Sequence, residues 1–560
     1  MKTDTFVEPK EKLKPKLLSV MKTYNKQQFV KDVISGIIVA IIALPLSIAL
    51  ALASGVNPEQ GLYTAIAAGF IVSLFGGSRV QIAGPTAAFA TIVAGIVANK
   101  GMDGLIVATI MAGIMLIIMG ICRLGTLIKY IPSTITTGFT FGIAVTIIIG
   151  QLKDFMGLTF KESPVETIDK LKQVATCIST FNVQAFIIGL LALAILIFWP
   201  NKLKKIPASL IAVIVCSAVV KIADLNVNTI GDLYEISSAA PKFHFPSFQF
   251  SQLKDLVPDA VTIAVLAAIE SLLSCVVSDG MIGSKHRSNM ELIAQGGGNI
   301  ASALLGGIPA TGAIARTAAN IKNGGRTPVA GMVHSVVLLL ILLLLMPYAK
   351  LIPMPTIAAI LFQVAYNMSG WRTIVNTVKT APKSDVIVLV LTLVLTVVYD
   401  LVVAICAGLV LSAILFMKRM SDVTDVHGWV YMSEDEENDV DHIELKKVPK
   451  NTRVFEINGP IFFAASEKFM QVVFDTSIDV LVIRMRNVPA IDATGIETLR
   501  KIIQKCEKNS IQVVFSHVNE QPMKAMHKAG FTDIIGEKNF CNHIDTALLR
   551  AEEIENQKNN

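Results

Sequence analysis

Three groups of residues in this sequence have types and spacings that could do chemistry. The first is a pair of short stretches rich in small residues, GPT at 84–86 and PATGAIAR at 309–316. A proline just inside a helix start costs nothing, because the N–H it lacks has no partner there. Thr86, Ala87 and Ala88 then offer backbone N–H groups at the positive end of a helix dipole. Ala313, Ile314, Ala315 and Arg316 do the same in the second stretch. Two such helix starts meeting end to end would make an anion site. The plainer alternative is that Gly and Ala simply let helices pack closely. Recurrence of the pattern at corresponding positions favours the site.

The second group is charged residues within apolar runs. Arg316 would sit near a membrane centre, where a cation costs roughly 3 kcal/mol on insertion scales. It either stands beside an anion or snorkels to the interface. Glu270, in TIAVLAAIESLLSCVVSDG, lies eleven residues past Asp259, about 16 Å along a helix. Ser274 is one turn further on the same face. A carboxylate and a hydroxyl there could hold Na⁺, which the second ligand slightly favours, or carry H⁺. The competing reading is a structural bridge from Glu270 to Arg316. His334 reads as a packed histidine, and Asp400 as a solvated group between two spans.

The third group is DATG at 492–495, at a loop leading into a helix. Asp492 and Thr494 there are either ordinary capping groups or a phosphorylation or docking site.

The elements that must position these groups follow from composition. The chain has 560 residues, 53% of them hydrophobic and 16% charged, with mean hydropathy +0.60. Runs such as VVLLLILLLLM are too continuous for amphipathic packing in a soluble core. On a ruler of about 20 apolar residues per span, fourteen segments emerge: 32–53, 60–76, 84–98, 103–122, 131–150, 181–199, 206–222, 259–279, 288–306, 310–321, 327–348, 354–368, 384–399 and 401–417. The third and tenth are too short to cross alone.

Loop charge sets the orientation. With the N-terminus inside, the cytoplasmic connections carry Arg79, Arg123, Lys129, Lys202, Lys204, Lys205, Lys285, Arg287, Lys322, Arg326, Arg372, Lys379, Lys383, Lys418 and Arg419. The opposite loops are neutral, short or sign-balanced, so an even number of spans places both termini in the cytoplasm. This predicts a multi-pass protein of the cell (inner) membrane, with the lipid bilayer as its first partner. The net charge of +6 needs no nucleic-acid partner. FGGSRVQIAGPTAAFA (75–90) is echoed by LGGIPATGAIARTAA (305–319) at an offset of 230 residues. Two halves of seven spans must have opposite topology, as in many secondary transporters.

Downstream the charge density becomes that of a soluble protein. We expect a cytoplasmic N-terminal segment over 1–31, the membrane domain over 32–418, a linker over 419–446 around the acidic run 434–439, an α/β domain over 447–552 and a polar tail over 553–560. The seven cysteines are scattered without metal-ligand spacing, so no disulfide framework, metal site or cofactor is expected, save Na⁺ or H⁺ as a coupling ion. No phosphate-binding G-x-x-x-x-G-K-[ST], H-E-x-x-H or G-x-S-x-G pattern occurs, which speaks against an enzyme or an ATP-driven pump.

These motifs resemble the sulfate-permease family of anion transporters with a C-terminal STAS domain. The match is densest over ALPLSIALALASG (43–55), AGPTAAF (83–89), VVSDGMIGSKHRSNMELIAQGGGNI (276–300), GGIPATGAIARTAANIKNGGRTP (306–328) and IDATGIETL (491–499). The resemblance implies a fourteen-span, seven-plus-seven inverted repeat with core and gate domains, followed by the STAS domain, usually as a homodimer. It implies a small inorganic anion, sulfate or bicarbonate, held between the starts of spans 3 and 10 and moved by elevator-like displacement. A C4-dicarboxylate is the alternative within the family; an anion channel or a STAS signalling scaffold with a cytoplasmic partner is the alternative outside transport. A nucleobase permease shares the inverted repeat but would not carry this tail. In sodium–bicarbonate members an acidic residue and a hydroxyl on span 8 help hold Na⁺, where this sequence has Glu270 and Ser274; a bicarbonate-transporting member carries Asp in place of Glu. Leu46 and Leu50 make the wall of span 1 more apolar than in members with polar residues there. Thr494 is the residue most like the modifiable position of STAS relatives.

Overall fold

The computed structural model describes residues 13–126, 131–162, 164, 166–200, 207–246, 253–399, 401–429, 447–463 and 478–559. Lys129, Lys202, Lys204, Lys205, Asp400 and the acidic run 434–439 lie outside the described residues. The chain divides into two compact units, Met1–Leu409 and Val410–Asn560. The division falls inside the last apolar helix, upstream of the composition change at Lys418.

Every expected span coincides with helix, the last of them running on past Leu409 into the second unit. The helices that carry the spans are α1 (Lys26–Ala53), α2 (Pro58–Phe75), α3 (Ala87–Ile121), α4 (Ser133–Met156), α5 (Val183–Phe198), α6 (Ala208–Ile222), α7 (Leu253–Ile282), α8 (Ser288–Leu304), α9 (Ile314–Lys322), α10 (Val329–Ala349), α11 (Met354–Ser369), α12 (Lys383–Val398) and α13 (Leu401–Val423). Spans 3 and 4 both lie in α3, and the expected loop between them is a single break at Gly101, with φ 69° and ψ −176°. Only glycine adopts that conformation without strain. The first helix begins at Lys26 and not at Asp32, because Asn25 caps it by accepting the Gln28 N–H at 2.8 Å. Residues 26–31, expected in the N-terminal segment, are therefore its first turns.

Two bundles make up this unit. In one, α1, α2 and α3 pack with α7, α8, α9 and α10; in the other, α4 packs with α11 and α12, and α5 with α6 and α11. Small residues set the close approaches of the first bundle. A Cβ on Gly36 would meet Ala330 and Val333, and Gly113 faces Gly296 and Ile300 across the α3–α8 seam. Van der Waals packing of this kind substitutes for a hydrophobic driving force inside lipid. The second bundle is centred on Phe155, Ile188, Ala192, Ala212, Cys216 and Ala358.

The second unit contains a five-stranded sheet in the order β3-β4-β5-β6-β7: β3 (Asp425–Trp429), β4 (Thr452–Asn458), β5 (Val480–Asn487), β6 (Gln512–Ser516) and β7 (Phe540–Cys541). The pairs from β4 to β7 are parallel, and β3 is an antiparallel edge. The central strand is buried on both faces, as parallel strands usually are. Leu481, Ile483 and Met485 meet α14 (Ala493–Lys508) and α15 (Glu520–Lys528) on one side. Val480 and Val482 meet α16 (Ile544–Asn559) on the other. Two expected boundaries move. Residues 425–429, assigned to the linker, form β3, and the polar tail 553–560 is the end of α16 as far as it is described. That end is held because Glu555 accepts from the Thr452 hydroxyl at 2.6 Å, and Lys558 donates to Asp479 at 2.9 Å.

Candidate functional site

The two small-residue stretches meet as strands before they become helices. β1 (Ala83–Gly84) pairs antiparallel with β2 (Thr311–Gly312), with Ala83 opposite Gly312 and Gly84 opposite Thr311. Non-helical backbone at membrane depth persists only where protein satisfies its polar groups. Here a set of buried side chains does so. The Gly312 N–H donates to Ser271 Oγ at 3.0 Å, and Ser271 shares a 2.7 Å hydrogen bond with Thr311. Asn299 takes the Ala310 N–H at 2.8 Å and donates to its carbonyl at 2.9 Å. Thr64 accepts the Ile308 N–H at 2.7 Å, and Thr317 accepts the Ile82 N–H at 3.1 Å. Asn320 donates to the Val80 carbonyl at 2.9 Å.

Beyond the strand pair each chain enters a helix. Thr86 is the cap residue of α3, with extended φ −127° and ψ 159°, and Ala87 and Ala88 follow as its first two residues. Ala313 caps α9, followed by Ile314, Ala315 and Arg316. The Ala313 N–H is taken by the Ile82 carbonyl at 2.9 Å, so this residue, expected as a donor to the anion, closes the strand pair instead. Ile314 and Ala315 are exposed, whereas Arg316 is 3% exposed.

Arg316 ties the two helix starts together. Its Nη2 donates to the Pro85 carbonyl at 3.2 Å and to Ser47 Oγ at 3.3 Å, while its Nη1 is buried and makes no hydrogen bond among the described residues. The snorkelling alternative is excluded by that burial. A Cβ on Gly84 would overlap the same Nη1, so the backbone approaches the guanidinium as only glycine allows. On α1, Leu50 is buried and Leu46 half-buried beside Ser47.

Glu270 and Ser274 take different partners. Thr86 Oγ1 donates to Glu270 Oε2 at 2.9 Å, so the carboxylate faces the cap of α3. Ser274 donates to Gln81 Oε1 at 2.9 Å, and Gln81 Nε2 donates to the Ser271 carbonyl at 3.2 Å. No ion pair joins Glu270 to Arg316 among the described residues, so the competing structural bridge is not formed there. His334 is fully buried, and neither ring nitrogen has a partner among the described residues.

Sequence reasoning missed Ser47, Gln81, Ser271, Thr311, Thr317 and Asn320. Their signal was present: neutral polar residues inside apolar spans, where an unsatisfied group costs several kcal/mol. In the second unit, Asp492 is the N-cap of α14, accepting the N–H of Gly495 at 2.8 Å and of Phe463 at 3.0 Å. This is the capping reading, and Thr494 stands exposed in the first turn.

A multi-pass helical membrane protein of two inverted halves, with an α/β module downstream, is the class that this fold defines. The family can be stated as well: the chain belongs to the sulfate permease family, whose pattern matches residues 29–392, and a STAS domain matches residues 442–547. It is 38% identical over 530 residues to "Putative sulfate transporter YvdB" of Bacillus subtilis, covering 94% of this chain and 98% of the relative. It is 30% identical over 519 residues to the bicarbonate transporter BicA of Picosynechococcus, covering 89% and 90%. The solved transmembrane domain of a cyanobacterial BicA matches with a TM-score of 0.62 at 30% identity, over 68% of this chain and 98% of that one. Murine Slc26a9 matches in fold with a TM-score of 0.85 at 19% identity, over 97% and 94%. The family and these relatives are transporters, not enzymes, and the fourteen-span inverted repeat expected from the sequence is consistent with the fold of the matched structures.

Proposed function

We propose that this protein is a secondary transporter that carries a small inorganic oxyanion, sulfate or bicarbonate, across the membrane in symport with a cation. The observation that carries this reading is Arg316: a guanidinium 3% exposed, with one nitrogen lacking a partner among the described residues, at the start of α9. It reaches the start of α3 through the Pro85 carbonyl, to which it donates at 3.2 Å. An oxyanion between the starts of α3 and α9 accepts from Nη1, from the Ala87 and Ala88 N–H groups, and from those of Ile314 and Ala315. It thereby neutralises a buried charge and satisfies helix-end donors together. Family membership and relatives named for sulfate and bicarbonate support the substrate class.

Transport proceeds by elevator-like displacement of the bundle that holds both helix starts against the bundle built on α4 and α11. Glu270, hydrogen-bonded to the α3 cap, couples that movement to Na⁺ or H⁺. The protein works as a homodimer in the cell (inner) membrane with both termini in the cytoplasm, and its STAS domain receives a cytoplasmic regulator, with Thr494 as the modifiable position. Uptake into proteoliposomes, measured across sulfate, bicarbonate, fumarate and uracil, tests the reading. Saturable uptake of sulfate or bicarbonate supports it. Uptake of fumarate alone would make the protein a dicarboxylate carrier, and uptake of none would leave the channel or scaffold alternative.

A further inference from the structure

A groove on the membrane unit, between α1 and α10 of one bundle and α6 of the other, has a lining and a charge that the anion cradle does not use. It lies between α1, α6 and α10, has a volume of about 420 Å³, and is walled by apolar side chains. Pro45 and Ile48 come from α1, Ile214 from α6, and Leu345 and Met346 from α10. Pockets that enclose small organic groups span about 300–1,000 Å³. Two polar features break the apolar lining. Ser217 Oγ is buried in the wall and has no hydrogen-bond partner among the described residues. Lys221, in the last turn of α6, stands at the rim with Tyr348, which is 67% exposed.

The position along the membrane follows from the chain. The groove is lined from the later part of α1 and α10, residues 44–48 and 341–349, and along most of α6, residues 210–221, with Lys221 in its last turn. These are spans 1, 7 and 11, which run in the same direction, away from the basic connections. Lys221 is thus a cation on the side where the loops carry little net charge, and among the described residues no ion pair joins it to Asp224, three residues on. Tyrosine and lysine side chains are usual residues of the headgroup boundary.

We propose that this groove binds an anionic phospholipid, with one acyl chain lying between α1, α6 and α10 and the phosphate resting on Lys221. The apolar wall takes the chain, the Lys221 ammonium takes the charge, and Ser217 Oγ donates to an ester or phosphate oxygen that reaches it. Ile48 faces the groove one residue from Ser47, the hydroxyl that accepts from Arg316. A lipid in the groove therefore holds the same turn of α1 that supports the cradle.

The test uses the full chain in nanodiscs doped with phosphatidylglycerol or phosphatidylcholine carrying the same photoactivatable acyl chain, with labelled peptides mapped by mass spectrometry. We expect the phosphatidylglycerol probe to label peptides containing 210–218 and 341–349 at least threefold more than the phosphatidylcholine probe. Lys221→Gln should bring the two probes level, and Ile214→Trp, which fills the groove, should lower both. Equal labelling by the two headgroups in the wild-type protein would overturn the proposal without any variant. An undiminished preference in Lys221→Gln would overturn it as well. Neither outcome depends on which anion is transported.

Discussion

The Thr86 hydroxyl donates to Glu270 Oε2 at 2.9 Å, across 184 residues of sequence, and so places a carboxylate from α7 against the cap of α3. That cap begins the helix whose first N–H groups face the proposed anion. A cation or proton arriving at Glu270 therefore acts on the residue that shapes one half of the cradle, with no intermediate element. Ser274, one turn along α7, is committed to Gln81 and steadies the strand pair.

Glu270→Gln should abolish accumulation driven by an imposed Na⁺ or pH gradient, while retaining anion exchange down a concentration gradient. Uptake in proteoliposomes with each gradient imposed separately checks this and identifies the ion. H⁺ coupling gives uptake that rises as external pH falls. Accumulation that survives in Glu270→Gln would remove the residue from coupling.

Two glycines separate the cradle from the scaffold beneath it. Gly84→Ala places a methyl group on the Arg316 guanidinium and should weaken anion binding by more than tenfold, about 1.4 kcal/mol. Gly312→Ala instead meets the Gln81 side chain and the Ser271 backbone, and should lower stability by about 1–3 kcal/mol, as overpacking does. Calorimetric titration with sulfate and thermal unfolding in detergent distinguish the two effects.

The STAS unit should regulate or support assembly and leave the pathway alone. Deleting 421–560 should reduce yield or rate but preserve the ranking of anions in competition uptake. A changed ranking would make the tail part of the site. Thr494→Asp, which adds charge at the exposed first turn of α14, should alter rate without altering that ranking.

Within the same unit, Lys558 holds the Asp479 carboxyl below its usual value, chiefly through their hydrogen bond. A depressed carboxyl stabilises the fold fully above its unfolded value of about 3.9. The contribution disappears as pH falls through the lower folded value. Lys558→Ala, which also removes the donation to the Ser510 carbonyl, should thus cost roughly 0.2–1 kcal/mol more near neutral pH than once Asp479 is protonated. Unfolding of the unit followed by its tryptophan-independent far-ultraviolet signal between pH 7 and pH 2 measures the difference.

What the sequence made legible depends on how local the cause is. All fourteen spans, the paired helix starts, and the strand–loop–helix–strand order from Ser477 to Val518 could be read, because period, capping and hydropathy act over a few residues. The β1–β2 pair could not be read: two-residue strands have no period, and their pairing spans more than 220 residues. Ser274 was assigned beside Glu270 on helical spacing alone, yet its hydroxyl turns to Gln81, a partner 193 residues away. The same limit hid Arg316's contact with Ser47, 269 residues distant. Charge density misplaced β3 within the linker, since an edge strand that pairs on one side needs no apolar run.

The central claim is that Arg316 and the two helix starts form the anion site, and anion affinity in the purified full chain tests it most directly. Titration of the wild-type protein and of Arg316→Ala with sulfate and with bicarbonate should show saturable binding of at least one of them to the wild type. The variant should bind that anion more weakly by about 1–3 kcal/mol, the scale of a charge-assisted hydrogen bond. An unchanged dissociation constant in a folded Arg316→Ala protein would contradict the account.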